Sequence, residues 1–290
     1  MMAVGTLSEQ QVGQAANSLL EAYRTRAPIP PLTDQYRGAT VTDAYRIQQY
    51  QIRAWTAAGD PVRGHKIGLA SHAMQQQMGV HEPDFGHLTS HMFLSEHQPI
   101  DCGAFLQPRI EPEVAFVLKA PLRGPGVHVA DAARAVDFVL PALEIVDSRI
   151  REWKISIFDT VADNASSGAV ILGSTPAWLS DVDLSLAGCV LSKGGLIVET
   201  GAAAAVLGSP LNALAWLANT IGAMGVRLEP GHTVLSGSMT RALPASAGDS
   251  VTASIGGIGT VTAVFADPPW STVADPIQAG QGAARRSGGR

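Results

Sequence analysis

The residues best placed to do chemistry lie in the stretch QPRIEPEVAFVL, residues 107–118. Alternate side chains of a β-strand share a face, so Glu111 and Glu113 project side by side at the head of an apolar run. Two neighbouring carboxylates repel unless something positive joins them, and a divalent cation is the natural partner. Taken alone, an E-x-E pair is most often a solvated strand end. Three features weigh against that here. The apolar run Val114–Leu118 follows at once, which a frayed edge would not show. Pro112 has no N–H to give to a ladder, which predicts an edge strand or an irregular one. A third acid, Glu144, sits inside the apolar segment PALEIVD, where a lone buried carboxylate is costly. Three carboxylates with positions left open suit Mg²⁺ or Mn²⁺ better than Zn²⁺.

Lys66 is flanked by Ile67 and Leu69, an unusual setting for a surface lysine. Six of the eight histidines fall between His65 and His97, which invites a zinc reading, yet no H-E-x-x-H or comparable spacing occurs. His87 and His91 are four apart, but Gly86 and Thr89-Ser90 predict a turn there rather than a helix. Gly256-Gly257-Ile258-Gly259 joins two β runs without a following helix, so it reads as a hairpin turn and not a dinucleotide fingerprint.

The elements that must position these groups change in texture along the chain. Ser8 is expected to cap a helix to about Tyr23, with Val12, Ala15, Leu19 and Ala22 on its apolar stripe. After a Pro-rich connector, Thr42 opens a second helix through Ala57, with Ala44, Tyr45, Ile52 and Trp55 as the stripe and Ile47 off it. Gly64–Leu69 reads as a strand, and Ser71 caps a helix to Met78. Short β segments dominate after about residue 100, among them a hairpin at Gly194-Gly195, with one late helix opened by Ser209-Pro210. The expected fold is α+β: an α-rich N-terminal region (1–100), a β-rich body (101–266) and a disordered Pro/Gly/Ser/Arg-rich tail (267–290).

Composition bounds the partners. Only 16% of the 290 residues are charged, against roughly 25% in an average soluble domain, which favours a homo-oligomer that hides surface. The net charge of −5 and the lack of a basic stripe before the last few residues argue against nucleic acid and anionic membrane. No window approaches the roughly 18 apolar residues of a membrane span, and two cysteines are too few for a disulfide framework. A cytoplasmic setting is the default expectation.

The segments GHKIGL, MGVHEPDFGHL, QPRIEPEVAFVL, PALEIVDSRI, WKI, DTVADNASSG and VLSGSMTRALPASAGDSV occur in this order at ordinary separations. As an ordered set they resemble the 2-hydroxypenta-2,4-dienoate (2-keto-4-pentenoate) hydratase family of the fumarylacetoacetate hydrolase superfamily, over about residues 10 to 266. The resemblance implies a mixed β-roll body behind a helical N-terminal part, and an enzyme of meta-cleavage aromatic or steroid catabolism. It implies that Glu111, Glu113 and Glu144 are metal ligands, that Lys66 lies beside the substrate, and that Asp84 transfers protons. Ser167 is expected in the loop that holds the substrate's carboxylate end, and Trp153 near the pocket. His72 stands where the family often has Lys, read here as surface variation.

The implied reaction is addition of water to a 2-hydroxy-2,4-dienoate, giving a 4-hydroxy-2-oxo acid. The nearest rival is the sister 2-oxo-3-hexenedioate (4-oxalocrotonate) decarboxylase, whose second carboxylate would need a cationic group, for which Arg241 is the candidate. An acylpyruvate-type C–C hydrolase is disfavoured because those enzymes typically use Asp as the third ligand where this chain has Glu144. A silent partner subunit, associating with other enzymes of the pathway, should have lost part of the acid triad or Lys66, and neither is lost.

Overall fold

A computed structural model describes residues 5–266. The tail assigned to 267–290, Trp270 included, lies outside the described residues. The chain opens with helices α1 (Glu9–Thr25), α2 (Leu32–Gln35) and α3 (Val41–Ala57). There follow β1 (Val62–Gly68), α4 (His72–Met78), β2 (Asp84–Thr89), β3 (Phe93–Leu94), β4 (Ile100–Asp101) and β5 (Arg109–Leu118). Next come α5 (Val129–Ala135), β6 (Val136–Val146), α6 (Ile157–Ala162), β7 (Ser167–Leu172), β8 (Gly188–Lys193) and β9 (Leu196–Ala202). The last elements are α7 (Pro210–Ala223), β10 (Thr233–Leu235), β11 (Leu243–Pro244), β12 (Ser250–Ile255) and β13 (Gly259–Ala266). The expected α+β class is what the chain adopts.

Local chemistry explains the helix ends. Ser8 accepts the Gln11 N–H while the Gln11 side chain returns to the Ser8 N–H, a reciprocal capping box. The cap of α3 is Thr40, not Thr42: Thr40 and Asp43 form the same box. Ile47 was expected off the apolar stripe, yet it is fully buried. The reason is that α3 packs against α1 on one side and α6 on the other, so more than one face is covered. Ser71 caps α4 through the Met74 N–H, whereas Ser209 makes no side-chain cap bond and α7 starts on Pro210 alone. The β8–β9 hairpin turns at Gly194 (φ 58°) and Gly195 (φ 82°), the paired positive φ values of a type I′ turn.

Two sheets carry the body. The larger, of eight strands, runs β2-β1-β10-β5-β6-β7-β3, with β11 also paired to β5; the smaller runs β4-β13-β12-β8-β9. The larger sheet curls: Leu88 of β2 and Val170 of β7, far apart in strand order, share one buried cluster with Ala115, Leu140 and Ala142. Its other face packs Ile110, Leu143 and Ile145 against Val251, Val261 and Phe265 of the smaller sheet. Pro112 is the informative exception. It lies in a central strand, paired to β6 along its length, so the edge-strand alternative is wrong. The irregular alternative holds, because the neighbour on the other side breaks between β10 and β11. There the Met239 N–H donates to the Pro112 carbonyl, so the missing N–H of Pro112 faces the break. No helix among the described residues is long and apolar enough to cross a membrane.

Candidate active site

The inner face of the curled sheet collects the candidate residues by register. Glu111 of β5 stands directly opposite Glu144 of β6, and Glu113 is two residues along on the same face. Lys66 of β1 pairs with Leu235 of β10, and Asp84 of β2 pairs with Gly68, so both side chains point the same way as the three acids. One carboxylate oxygen from each of Glu111, Glu113 and Glu144 lies within 4.8 Å of the others. Like charges facing each other in this way are destabilising unless neutralised.

Burial sharpens the problem. Glu113 and Glu144 are 0% and 1% exposed, and Glu113 Oε1 and both Glu144 oxygens have no hydrogen-bond partner. Burial raises the proton affinity of all three acids; for Glu113 the neighbouring Glu144 and Glu111 carboxylates add to it, and its pKa rises well above the usual range. Orphaned, mutually repelling carboxylate oxygens around one point are the donor set of a hard divalent cation. These residues therefore fit the metal that the sequence implied. The histidines do not compete for it: the three glutamates are the cluster among the described residues with metal-binding spacing.

Lys66 makes an ion pair with the trio, its Nζ 3.4 Å from Glu144 Oε2 and donating to the Ala165 carbonyl at 3.2 Å. Burial favours the neutral amine, but Glu144, Asp84, Glu111 and Glu113 outweigh it and raise the lysine's pKa, so it stays charged. Asp84 is 3% exposed with Oδ1 unpartnered. Burial raises its pKa, partly offset by Lys66 and by a bond from the Gly68 backbone. Gly68 permits this contact, since a Cβ there would lie 2.0 Å from Asp84 Oδ1 and 3.4 Å from Lys66 Nζ. Alanine at 68 would drive the acid away from the lysine.

The loop before β7 is held in an unusual shape. Asn164, Ala165 and Ser166 all have positive φ (52°, 52° and 53°), a costly run for non-glycine residues that persists only when surroundings enforce it. The Asn164 amide is bonded both ways to the His87 backbone, at 2.8 and 2.9 Å. Fully buried Arg149 grips the Asp163 carboxylate at 2.6 Å and donates to the Asp163 and Ser167 carbonyls. Together these clamps aim the Ala165 carbonyl at Lys66.

Lys66, Asp84, Glu111, Trp153 and Arg241 all line one cavity of about 540 Å³, within the usual range for a small-molecule site. Ser167 does not line it. Ser167 begins β7 with its hydroxyl buried and unpartnered beside Gly86, and the cavity wall is made by its neighbours Ala165 and Ser166, with Thr160 hydrogen-bonding Ser166. Arg241 is at the mouth, 82% exposed in its side chain and already paired with Glu199 at 2.6 Å. The apolar wall includes Leu69, Met74, Met78 and Ile155. Sequence reasoning missed Arg109, Ser166 and Thr160, although Arg109 stands two residues before Glu111 and so shares its face. A second cavity of about 510 Å³, lined by Tyr23, Trp55, Phe105 and Arg149, holds none of the expected site residues.

Behind Lys66, on the opposite face of β1 and β2, three imidazoles meet: His65 lies 4.8 Å from His87 and 5.9 Å from His232, ring to ring. Burial, reinforced by the other two rings, lowers the pKa of His65 well below normal; burial takes His87 down to about 4 despite its bond with Asn164. The unfolded chain therefore binds protons first, and stability is expected to fall as the pH drops from about 6.5 toward 4, by up to about 1.4 kcal/mol per pH unit for each histidine. Urea unfolding of His65→Leu between pH 7 and pH 5 should show a shallower loss than the parent. Identical slopes would remove His65 from that role.

The comparisons with known proteins agree with this geometry. The fumarylacetoacetate (FAA) hydrolase C-terminal family matches residues 62–266. A 2-hydroxyhexa-2,4-dienoate hydratase of Comamonas testosteroni is 42% identical over 261 residues, 89% of this chain and 99% of that protein. A 2-keto-4-pentenoate hydratase of Paraburkholderia xenovorans is 44% identical over 259 residues, covering 89% and 96%. Among solved structures, the 4-oxalocrotonate decarboxylase of Pseudomonas putida G7 complexed with magnesium and adipate is similar at TM-score 0.87 and 39% identity, covering 90% of this chain and 99% of that one. Profile, relatives and the carboxylate-lined cavity together show that the chain belongs to the fumarylacetoacetate hydrolase superfamily and, within it, to the 2-keto-4-pentenoate hydratase family.

Proposed function

We propose that this protein is a hydro-lyase that adds water to 2-hydroxypenta-2,4-dienoate or its hexadienoate homologue, giving a 4-hydroxy-2-oxo acid. The observation that carries the reading is the convergence of a charged buried lysine, a buried acid of raised pKa and Glu111 on one cavity with an apolar far wall, with Glu113 and Glu144 buried within metal-binding distance of Glu111. Glu111, Glu113 and Glu144 would hold a divalent cation, Mg²⁺ or Mn²⁺ by the hardness of its donors, which would supply positive charge at the polar end of the substrate.

The chain's own groups account for the rest. Lys66 donates N–H to the 2-oxygen and stabilises the negative charge that gathers there. Asp84, kept protonated by burial, gives its proton to the far end of the diene, producing an α,β-unsaturated 2-oxo acid. The 2-hydroxyl proton leaves to solvent in that step. The resulting Asp84 carboxylate then takes a proton from the water that attacks C4, the electrons return to the 2-oxygen beside Lys66, and the enolate so formed takes a proton at C3 to give the 4-hydroxy-2-oxo acid. Ser166 and Thr160 offer hydroxyls to the polar end, while Met74, Met78 and Ile155 pack the hydrocarbon end and exclude bulk water. In this reading the curled sheet is a β-roll of the superfamily's type. The enzyme works in the cytoplasm as a homo-oligomer within meta-cleavage catabolism.

The second reading, decarboxylation of 2-oxo-3-hexenedioate, draws support from the similarity to the Pseudomonas putida decarboxylase. Against it, Arg241 is already neutralised by Glu199. Offering the Mg²⁺-loaded protein the pentadienoate, the hexadienoate and the hexadienedioate, and weighing the products, separates the two. Products one water heavier from the monocarboxylates are expected. Reaction of the dienedioate alone, with loss of CO₂, would instead establish the decarboxylase.

A further inference from the structure

We propose that Arg109 is the second cation of the site, and that it grips the C1 carboxylate of the substrate. The inference rests on the proposed 2-oxo acid chemistry and names a group that this chemistry lacks. Three carboxylates outweigh a divalent cation by one charge, and Lys66 cancels the remainder. A 2-oxo acid then brings one uncompensated negative charge, and its enolate a second, into a largely buried pocket. Such charge is expensive unless paired.

Arg109 is built for that role. It opens β5 two residues before Glu111, so its side chain leaves the same face as the acids and lines the same cavity. Among the described residues it makes no ion pair and its guanidinium has no hydrogen-bond partner, unlike Arg241 on Glu199, Arg149 on Asp163 or Lys66 on Glu144. Its position is nevertheless fixed. The guanidinium lies 4.6 Å from the centre of the Trp153 ring, a cation–π contact that orients the planar group while leaving its N–H edges free. The shelf itself is held at a cost. Glu152 and Trp153 both carry positive φ (57° and 54°), and the indole N–H is pinned to the Gln107 carbonyl at 3.1 Å. Gln107 is anchored in turn, its N–H by Asp147 and its amide by the Ser148 carbonyl. The structure thus spends backbone strain and an indole on presenting an unpaired guanidinium beside the acids, as planar, two-pronged carboxylate recognition requires.

Calorimetric binding of 2-oxopentanoate and 2-oxoadipate to the Mg²⁺-loaded enzyme tests this without turnover, comparing the parent with R109Q and R109K. A charge-assisted pair is worth about a 10- to 100-fold change in Kd. R109Q should weaken both ligands by that factor equally, and R109K, which keeps the charge but loses the fork, should recover only part. Melting curves and unaltered Mg²⁺ affinity would show that both variants remain folded and loaded. A Kd unchanged in R109Q overturns the proposal, as does a loss confined to 2-oxoadipate, which would place Arg109 at the far carboxylate. If the parent itself binds neither ligand, the 2-oxo acid reading fails and takes this inference with it.

Discussion

Glu113→Gln is expected to cut turnover by about 10³-fold or more while making the metal-free protein melt at a higher temperature. Both signs follow from burial. Glu113 is fully buried, faces two other carboxylates and has one oxygen without any partner. Its pKa is raised in the fold, so at neutral pH the folded metal-free chain either takes up a proton or bears a desolvated charge. The amide removes that penalty, and its oxygen can still accept the Gly237 N–H that Glu113 Oε2 now receives at 2.6 Å. The same change deletes a ligand from the cation that the chemistry relies on for several kcal/mol of charge stabilisation. Mg²⁺ should therefore raise the melting temperature of the parent and leave that of Glu113→Gln unmoved. If Mg²⁺ stabilised both equally, the ion would be binding elsewhere.

Lys66→Met should cost about 10²- to 10³-fold in kcat, the usual loss when a preorganised donor to a developing oxyanion is removed. Its diagnostic signature is in the pH profile. Lys66 is the charge that holds down Asp84 and Glu144 against burial, so its loss raises both pKa values further. In the proposed mechanism Asp84 must start protonated to give its proton to the diene, so the alkaline limb of the kcat profile should move to higher pH. Mg²⁺ affinity, in contrast, should hold or tighten, because a neighbouring cation has gone. A profile with an unmoved alkaline limb would detach Lys66 from the reacting groups. Weaker Mg²⁺ binding would mean that the lysine organises the acids rather than the substrate.

Much of this site was legible along the chain because its parts are local. Period-2 spacing placed Glu111 and Glu113 on one face, and the apolar surroundings of Glu144 and Lys66 marked both as buried. Other features depend on pairings that sequence does not display. The cross-strand register putting Glu144 opposite Glu111 needs β6 to be aligned on β5. Pro112 marked an irregularity but not its place, because a strand can be central and still face a break in its neighbour. That Ser166 lines the cavity while Ser167 is buried beside it follows from three successive positive-φ residues, held from His87 and Arg149, which no propensity foresees. Arg109 escaped notice because its significance is a missing partner, and only the fold shows that Arg241 has one and Arg109 does not.

The central claim is that these acids make a metal-dependent hydratase. It is tested most directly by following the ultraviolet absorbance of freshly generated 2-hydroxypenta-2,4-dienoate with EDTA-stripped protein while Mg²⁺ is titrated back, and weighing the product. No turnover before the metal, recovery that saturates with it, and a product heavier by one water are expected. Full turnover in EDTA, or a metal-dependent product that has lost carbon or gained no water, would contradict it.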